Sequence, residues 1–462
     1  MPVLAEQAIH AIYVLSLIIF LFTLALILFA LIRRKTRQRY YQQLDKLRQE
    51  CQPILEGMLA GSIAYDSGLA QLKVQCHSSG AAMLQRVLAE ARSTAGPATL
   101  RQISTDLGFI RAWQRGLASP AAPRTNAIRP RSGWRGLWPW PGFPDRAQAA
   151  EYLGVLRHQP SWRLMLRALN DANADVRTTA VRAVGAIGEP RAFPVLLEAL
   201  RDAATSGHPK CSVATLRQAL ARFPLHLASA VSPLLRDPDP RIRFLGAEVI
   251  QEMVKHAATV ASNLQLTADN FPAPVLDALV VELSHDPSAN VRARVAMVLG
   301  YIADSRAAEA MTNLLEDREW LVRLQAVKSA GRSGAGGLER PIAACLSDAD
   351  WRVREAAAHA LGQHSRPGAD LVLNQFLETR DVYMKEQIAE EVERSGLING
   401  WLSHLGEAGC ERQTQALSQL VEMGKTGFLQ NLLTRPISDA LRARLSASLG
   451  LRPMQKRQAA GH

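Results

Sequence analysis

Histidine and cysteine are the residues that would carry metal or nucleophilic chemistry, and their spacing here supports neither. The eleven histidines are dispersed, and the nearest pair, His359 and His364, has no carboxylate partner at metal-ligand spacing. Cys51, Cys76, Cys211, Cys345 and Cys410 form an odd, scattered set with no C-x-x-C. That argues against a disulfide framework and a zinc site, and reads as small buried thiols in a reducing compartment. No H-E-x-x-H, G-x-S-x-G or G-x-x-x-x-G-K-[ST] occurs. The glycine-rich "GRSGAGG" (331–337) lacks the phosphate-gripping lysine and reads as a turn. The expectation is a chain that is not an enzyme, with no metal, no cofactor and no small-molecule substrate.

What does recur is an aspartate and an arginine at fixed spacing. Aligned on an apolar residue followed by arginine, the instances are Val176-Arg177, Ile242-Arg243, Val291-Arg292, Val322-Arg323 and Val353-Arg354. Five residues before each apolar residue stands Asp171, Asp237, Asp286, Asp317 or Asp348. Three before it stands Asn173, Asp239, Ser288, Glu319 or Asp350, mostly residues that cap a helix start. A small or β-branched residue follows the arginine by three, and a glycine follows by eight (Gly185, Gly300, Gly331, Gly362; Gln251 is the exception). The small residue predicts close helix packing, and the glycine predicts a helix end.

Upstream of these phrases lies a second apolar helix, such as "RAFPVLLEALRD" (191–202) or "RAAEAMTNLLED" (306–317). The last arginine-to-arginine spacings are 31 and 31. The first, 66, leaves room for a weak copy near "SVATLRQALARF" (212–223), and 49 implies an enlarged unit over 256–285. Each unit is a helical hairpin that buries its apolar face only by stacking on its neighbours.

The pattern D-x4-V-R-x2-A-x4-G on the second helix of a pair resembles HEAT repeats, especially the short bacterial, phycobilin-lyase-like type. The resemblance covers about residues 150–395, with degenerate copies to about 450. It implies an α-solenoid in which Arg177, Arg243, Arg292, Arg323 and Arg354 pair with aspartates of their own or neighbouring units. It further implies that the second helices line a concave face.

Residues 11–32, "AIYVLSLIIFLFTLALILFALI", carry no charge. At about 1.5 Å per residue they match a hydrocarbon core of roughly 30 Å, so a transmembrane helix is predicted. Arg33, Arg34, Lys35, Arg37 and Arg39 follow it. The positive-inside rule then places the short N-terminus outside and the bulk of the chain in the cytoplasm, single-pass in an inner membrane.

The expected organisation is a tail (1–10), the span (11–32), a juxtamembrane helical region (33–118), a Pro/Trp/Arg-rich linker (119–146), the all-α solenoid (147–450) and a basic tail (451–462). Pro53 is a candidate to open a second juxtamembrane helix. The juxtamembrane region could pack on itself, on a partner helix or on the first repeats. In the linker, Trp134, Trp138 and Trp140 lie among arginines. They fit a cap on the first repeat, docking at an anionic membrane interface, or a partner motif.

Trp320 and Trp351 hold corresponding places one repeat apart, as either a structural row or a binding stripe. Arg241, Arg294 and Arg352 sit within two residues of ladder arginines, as either a solvated face or a basic surface. The formal charge of +12 admits nucleic acid, membrane or acidic partners. Part of that excess lies at 33–39, in the linker and in the tail, while the repeats alternate signs, which disfavours a phosphate-tracking groove. The function expected is a membrane-anchored cytoplasmic scaffold for protein partners, in an envelope or polysaccharide assembly. A nucleic-acid-binding HEAT protein and a phycobilin-lyase-like enzyme are the alternatives.

Overall fold

Helices and the turns between them make up almost all of the described residues. The computed structural model describes residues 2–75, 84–85, 87–88, 97–118, 146–207, 209–260, 266–267, 271–333, 337–363, 366–395, 397–398, 401 and 411–425. The linker up to Asp145 and the basic tail, with Trp134, Trp138 and Trp140, lie outside the described residues. The chain divides into two compact units, Met1–Glu189 and Pro190–His462.

In the first unit, α1 runs from Pro2–Leu59 as one helix, with Pro53 inside it. The expected break at Pro53 does not occur. Proline removes one backbone hydrogen bond there, but a buried stripe of Leu44, Leu47, Cys51 and Leu55 continues past it on one face of the helix. Helix α2 (Tyr65–Gln75) packs on α1.

The described apolar side chains nearer the start of α1 have no such cover. Ile18 and the large apolar residues from Phe20 to Ile32 are 42% to 63% exposed. Among the described residues no helix is long and apolar enough to cross a membrane. The described apolar side chains begin at Ile18 and end at Ile32, a rise of about 21 Å against the roughly 30 Å required. Residues 11–17 of the expected span fall outside the described side chains.

The remaining helices of this unit are α3 (Pro97–Asp106), α4 (Phe109–Ala118), α5 (Arg146–Val155), α6 (Trp162–Ala168) and α7 (Ala174–Ile187). Helix α4 packs both on its own region and on the first repeat. Its Trp113, fully buried, lies 5.2 Å from the Tyr152 ring of α5, and its indole N–H donates to Gln85 at 2.9 Å. Arg101 of α3 donates to the Leu156 carbonyl at 3.2 Å. The region before the linker therefore closes the open apolar face of the first repeat.

The second unit opens with α8 (Phe193–Thr205), α9 (Val213–Leu220) and α10 (Pro240–Val260). Then come α11 (Ala289–Leu299), the hairpin α12 (Ser305–Leu315) and α13 (Trp320–Ser333), and the hairpin α14 (Glu339–Ala344) and α15 (Trp351–Gln363). Helices α16 (Arg366–Glu378), α17 (Val382–Ser395) and α18 (Glu411–Glu422) follow.

The second helices α10, α11, α13, α15 and α17 pack each on the next. Val291, Val322 and Val353 are fully buried at equivalent places in that row, so each hairpin contributes the same apolar residue to a shared core. The enlarged unit takes an unexpected form. Leu266–Thr267 pairs in parallel with Ile302–Ala303, and a single π-helical turn fills Ala278–Glu282. A two-residue strand carries too little alternation to be seen in a sequence.

The recurring glycine stands at the expected helix end in α11, which Gly300 closes, and inside the helix in α13. Gly331 lies inside α13, and a Cβ there would stand 2.6 Å from the Ala360 Cβ on α15. A Cβ on Gly300 would stand 2.8 Å from the Ser329 carbonyl oxygen on α13. The glycine lets the next second helix approach closely. The left-handed end of α7 belongs to Gly188, three residues after Gly185, with φ of 70°. Cys51, Cys211 and Cys345 are buried thiols.

Candidate partner-binding surface on the second helices

The Asp–Arg pattern forms bonds both within and between repeats. Arg292 donates from Nε and Nη2 to the Asp317 carboxylate at 2.7 and 2.9 Å. Its Nη1 turns back to the carbonyls of Asp286 and Pro287 at 2.7 and 3.3 Å. Arg323 repeats both contacts, with Asp348 at 2.6 and 2.8 Å and with the carbonyls of Asp317 and Arg318. Arg243 does the same with Asp286 at 2.6 and 3.0 Å. Each aspartate also accepts the N–H two residues on, as Asp317 does from Glu319 at 2.9 Å and Asp348 from Asp350 at 2.8 Å. One arginine thus ties its own interhelical loop to the next repeat through two parallel charge-assisted bonds.

The electrostatics follow from this geometry. Hydrogen bonding to the paired aspartate raises the Arg243, Arg292 and Arg323 guanidiniums above their ordinary range, against the opposing effect of burial. Burial pushes the Asp317 and Asp348 carboxyls up, but the arginine and backbone hydrogen bonds outweigh it and hold both below the usual value.

The ends of the ladder depart from the pattern. Asp171 pairs with Arg146, which the sequence reading did not single out. Arg177 donates to the carbonyls of Asp171 and Ala172 at 2.8 and 3.1 Å. Asp237 accepts from Arg201 at 2.8 Å, on the first helix of its hairpin. At the far end Arg354 meets Gln387 at 3.0 Å and the carbonyls of Asp348 and Ala349.

Thr379 stands where the next aspartate would be, and its hydroxyl accepts the Asp381 N–H at 3.2 Å just as each ladder aspartate accepts its own. Lys385 follows Arg354 by 31 residues, so this is one more copy with Thr for Asp and Lys for Arg. The signal was present in the spacing and was hidden by both substitutions.

Of the exposed candidates, Arg294 is drawn inward. Its guanidinium lies 4.7 Å from the Phe244 ring centroid and 3.5 Å from Glu248, and it bonds Gln251. Burial lowers its pKa. Arg241 is exposed at the start of α10, its N–H capped by Asp239 at 2.8 Å. Arg352 stacks 3.6 Å from the Trp320 ring centroid and grips Asp350 with two bonds at 2.8 and 3.0 Å. These arginines therefore do not line up as one basic face: two are neutralised by adjacent carboxylates.

Trp351 is 56% exposed and borders a cleft between α15 and α17 that also takes in Arg354, Glu355, Tyr383, Glu386 and Arg394. His359, which the sequence left without a carboxylate, meets the buried Glu391 at 2.8 Å across this same helix pair. That partner comes from the neighbouring repeat, 32 residues away, so local spacing could not reveal it.

Comparison with known proteins adds the following. Residues 144–207 and 276–343 match a family model described as HEAT repeats, and residues 340–363 match that of a HEAT repeat. No curated protein matches the chain. Among solved structures it is similar to YibA of Escherichia coli at 19% identity, covering 56% of this chain and 91% of that one, with a TM-score of 0.31. It is similar to yeast importin-beta (Kap95p) at 13% identity, covering 89% and 60%, with a TM-score of 0.38. With Kap121p bound to Pho4p the identity is 15%, the coverage 85% and 42%, and the TM-score 0.45. The chain carries HEAT repeats, over residues 144–207, 276–343 and 340–363, within an all-α helical solenoid.

Proposed function

We propose that this chain is a membrane-anchored scaffold whose HEAT repeats present a surface to protein partners. Stacked hairpins offer a long array of side chains on successive helices, and repeat folds use such arrays for binding. On this reading the chain binds and positions, and the chemistry belongs to its partners.

The observation that supports anchoring is the environment of α1. One helix carries an uncharged run at 11–32, in which Ile18 and the large apolar side chains from Phe20 to Ile32 are exposed, and a buried stripe from Leu44 to Leu55. An exposed apolar surface of that kind stays out of water only if something covers it, and on this reading the cover is hydrocarbon. Arg33, Arg34, Lys35, Arg37 and Arg39 then favour the cytoplasmic side for everything that follows, at an inner membrane. Tethering raises effective concentration, so modest affinity for a membrane or envelope partner suffices.

The test is fractionation of cells expressing the full chain. The parent is expected to remain with membranes after alkaline carbonate extraction, and a chain lacking residues 2–32 to be released. Release of the parent would refute anchoring while leaving the partner-binding reading intact. Protease digestion of the repeats in intact spheroplasts would reverse the orientation.

A further inference from the structure

Trp320 and Trp351 each lie two residues before a ladder valine, in successive repeats. On Trp320 rests the Arg352 guanidinium from the following repeat, 3.6 Å from the ring centroid and held in place by Asp350. One repeat later, the residue in Arg352's place is Tyr383, which precedes Met384 as Arg352 precedes Val353. Among the described residues the following repeat supplies no stacked cation to Trp351, and Arg352 lies 6.0 Å from its ring. Trp351 is 56% exposed, Tyr383 80% and the adjacent Val382 72%.

The cleft beside these rings is acidic. Glu355, Glu386, Glu390 and Glu391 line it against Arg354 and Arg394, an excess of negative charge in a chain whose formal charge is +12. Arg394 is shared between Glu391 and Glu355, and Glu390 meets Lys425 at 3.1 Å. Glu386 is exposed.

We propose that this cleft binds a Lys- or Arg-bearing segment of a partner protein, one of whose cations stacks on Trp351 as Arg352 stacks on Trp320. The inference rests on the scaffold reading and gives its partner a chemistry. An aromatic face beside carboxylates attracts a cation through the ring quadrupole and through countercharge together. Exposed Trp and Tyr side chains are the kind that dominate binding at interfaces. The chain already uses this arrangement internally, at Trp320–Arg352–Asp350. A segment of negative charge would meet the cleft's carboxylates and be repelled.

The test uses the full chain in nonionic detergent and a fluorescein-labelled peptide of alternating Arg and Gly, followed by anisotropy across a salt series. Salt-dependent binding is expected, weakened about tenfold by W351A and again by E386K, the loss of one stacked or paired cation. E309K, a charge reversal at an exposed site on α12, is expected to change affinity less than about twofold, which removes net charge as the cause. Circular dichroism of W351A should match the parent, since the side chain lies outside the core.

Parent-like binding by W351A or E386K would overturn the proposal, as would equal weakening by E309K or binding of a Glu-Gly peptide. Self-association of the parent that E386K abolishes would assign the cleft to a second copy and likewise overturn it. If E386K still co-purifies with the parent's membrane partner, the scaffold reading survives and this assignment falls.

Discussion

Arg292 and Asp317 meet side-on through two bonds of 2.7 and 2.9 Å, 25 residues apart in sequence and one repeat apart in space. Their side chains are 7% and 10% exposed, so water does little to compensate either charge once its partner is gone. D317A is expected to cost about 3 kcal/mol, the scale for orphaning a buried charge. D277A, which breaks the half-exposed pair with Arg306 at 2.9 Å, should cost less than about 1 kcal/mol. Urea midpoints of the full chain in mild detergent, followed by circular dichroism, compare the two. Equal losses would remove the ladder from any special role in stability.

Acid should find the ladder first. The folded Asp317 and Asp348 carboxyls titrate below the ordinary 3.8, so the unfolded chain takes up protons at higher pH than the folded one. Their contribution is therefore fully present above 3.8 and is lost as pH falls through the lowered folded values. The urea midpoint should hold from neutrality to about pH 5 and drop below about pH 4. In D317N that acid limb should be shallower, and an unchanged limb would assign acid sensitivity to other carboxylates.

Thr379 invites a gain. Restoring the missing aspartate with T379D places a carboxylate where Asp348 stands in the preceding repeat, within the frame that Arg354 completes. The thermal midpoint should rise, by a stabilisation of about 1 kcal/mol. A fall would mean that the Arg354–Gln387 bond at 3.0 Å already satisfies this end of the ladder.

Close approach makes a separate prediction. G331A forces a Cβ to 2.6 Å from that of Ala360, an overpacking expected to cost about 2 kcal/mol. A360G in the same chain should recover part of that loss, a coupling visible in a double-mutant cycle of urea midpoints. Additive losses would show that the two helices do not compete for this space.

Much of the repeat was readable because its determinants are local. A cap, an apolar period and a small residue act within one hairpin, and the 31-residue interval between Arg292, Arg323 and Arg354 carries the same register from one hairpin to the next. The copy at Thr379 was missed because both of its charged members are replaced while its hydrogen-bond geometry survives. Arg352 looked like a surface cation because the ring it covers, Trp320, lies 32 residues away. Gly300 does end its helix, but the close neighbour that it and Gly331 admit leaves no mark on the sequence around them.

What the sequence determined by itself is the repeating unit and the uncharged run at 11–32, since each follows from which residues shun water and at what period. Only the tertiary structure decided which carboxylate each arginine reaches, that Trp113 packs against the first repeat, and that Arg352 stacks closely on Trp320 but lies 6.0 Å from the Trp351 ring. Such pairings depend on distances between helices. Those distances are set by how closely Gly300 and Gly331 let the next helix approach, and no period along the chain encodes them.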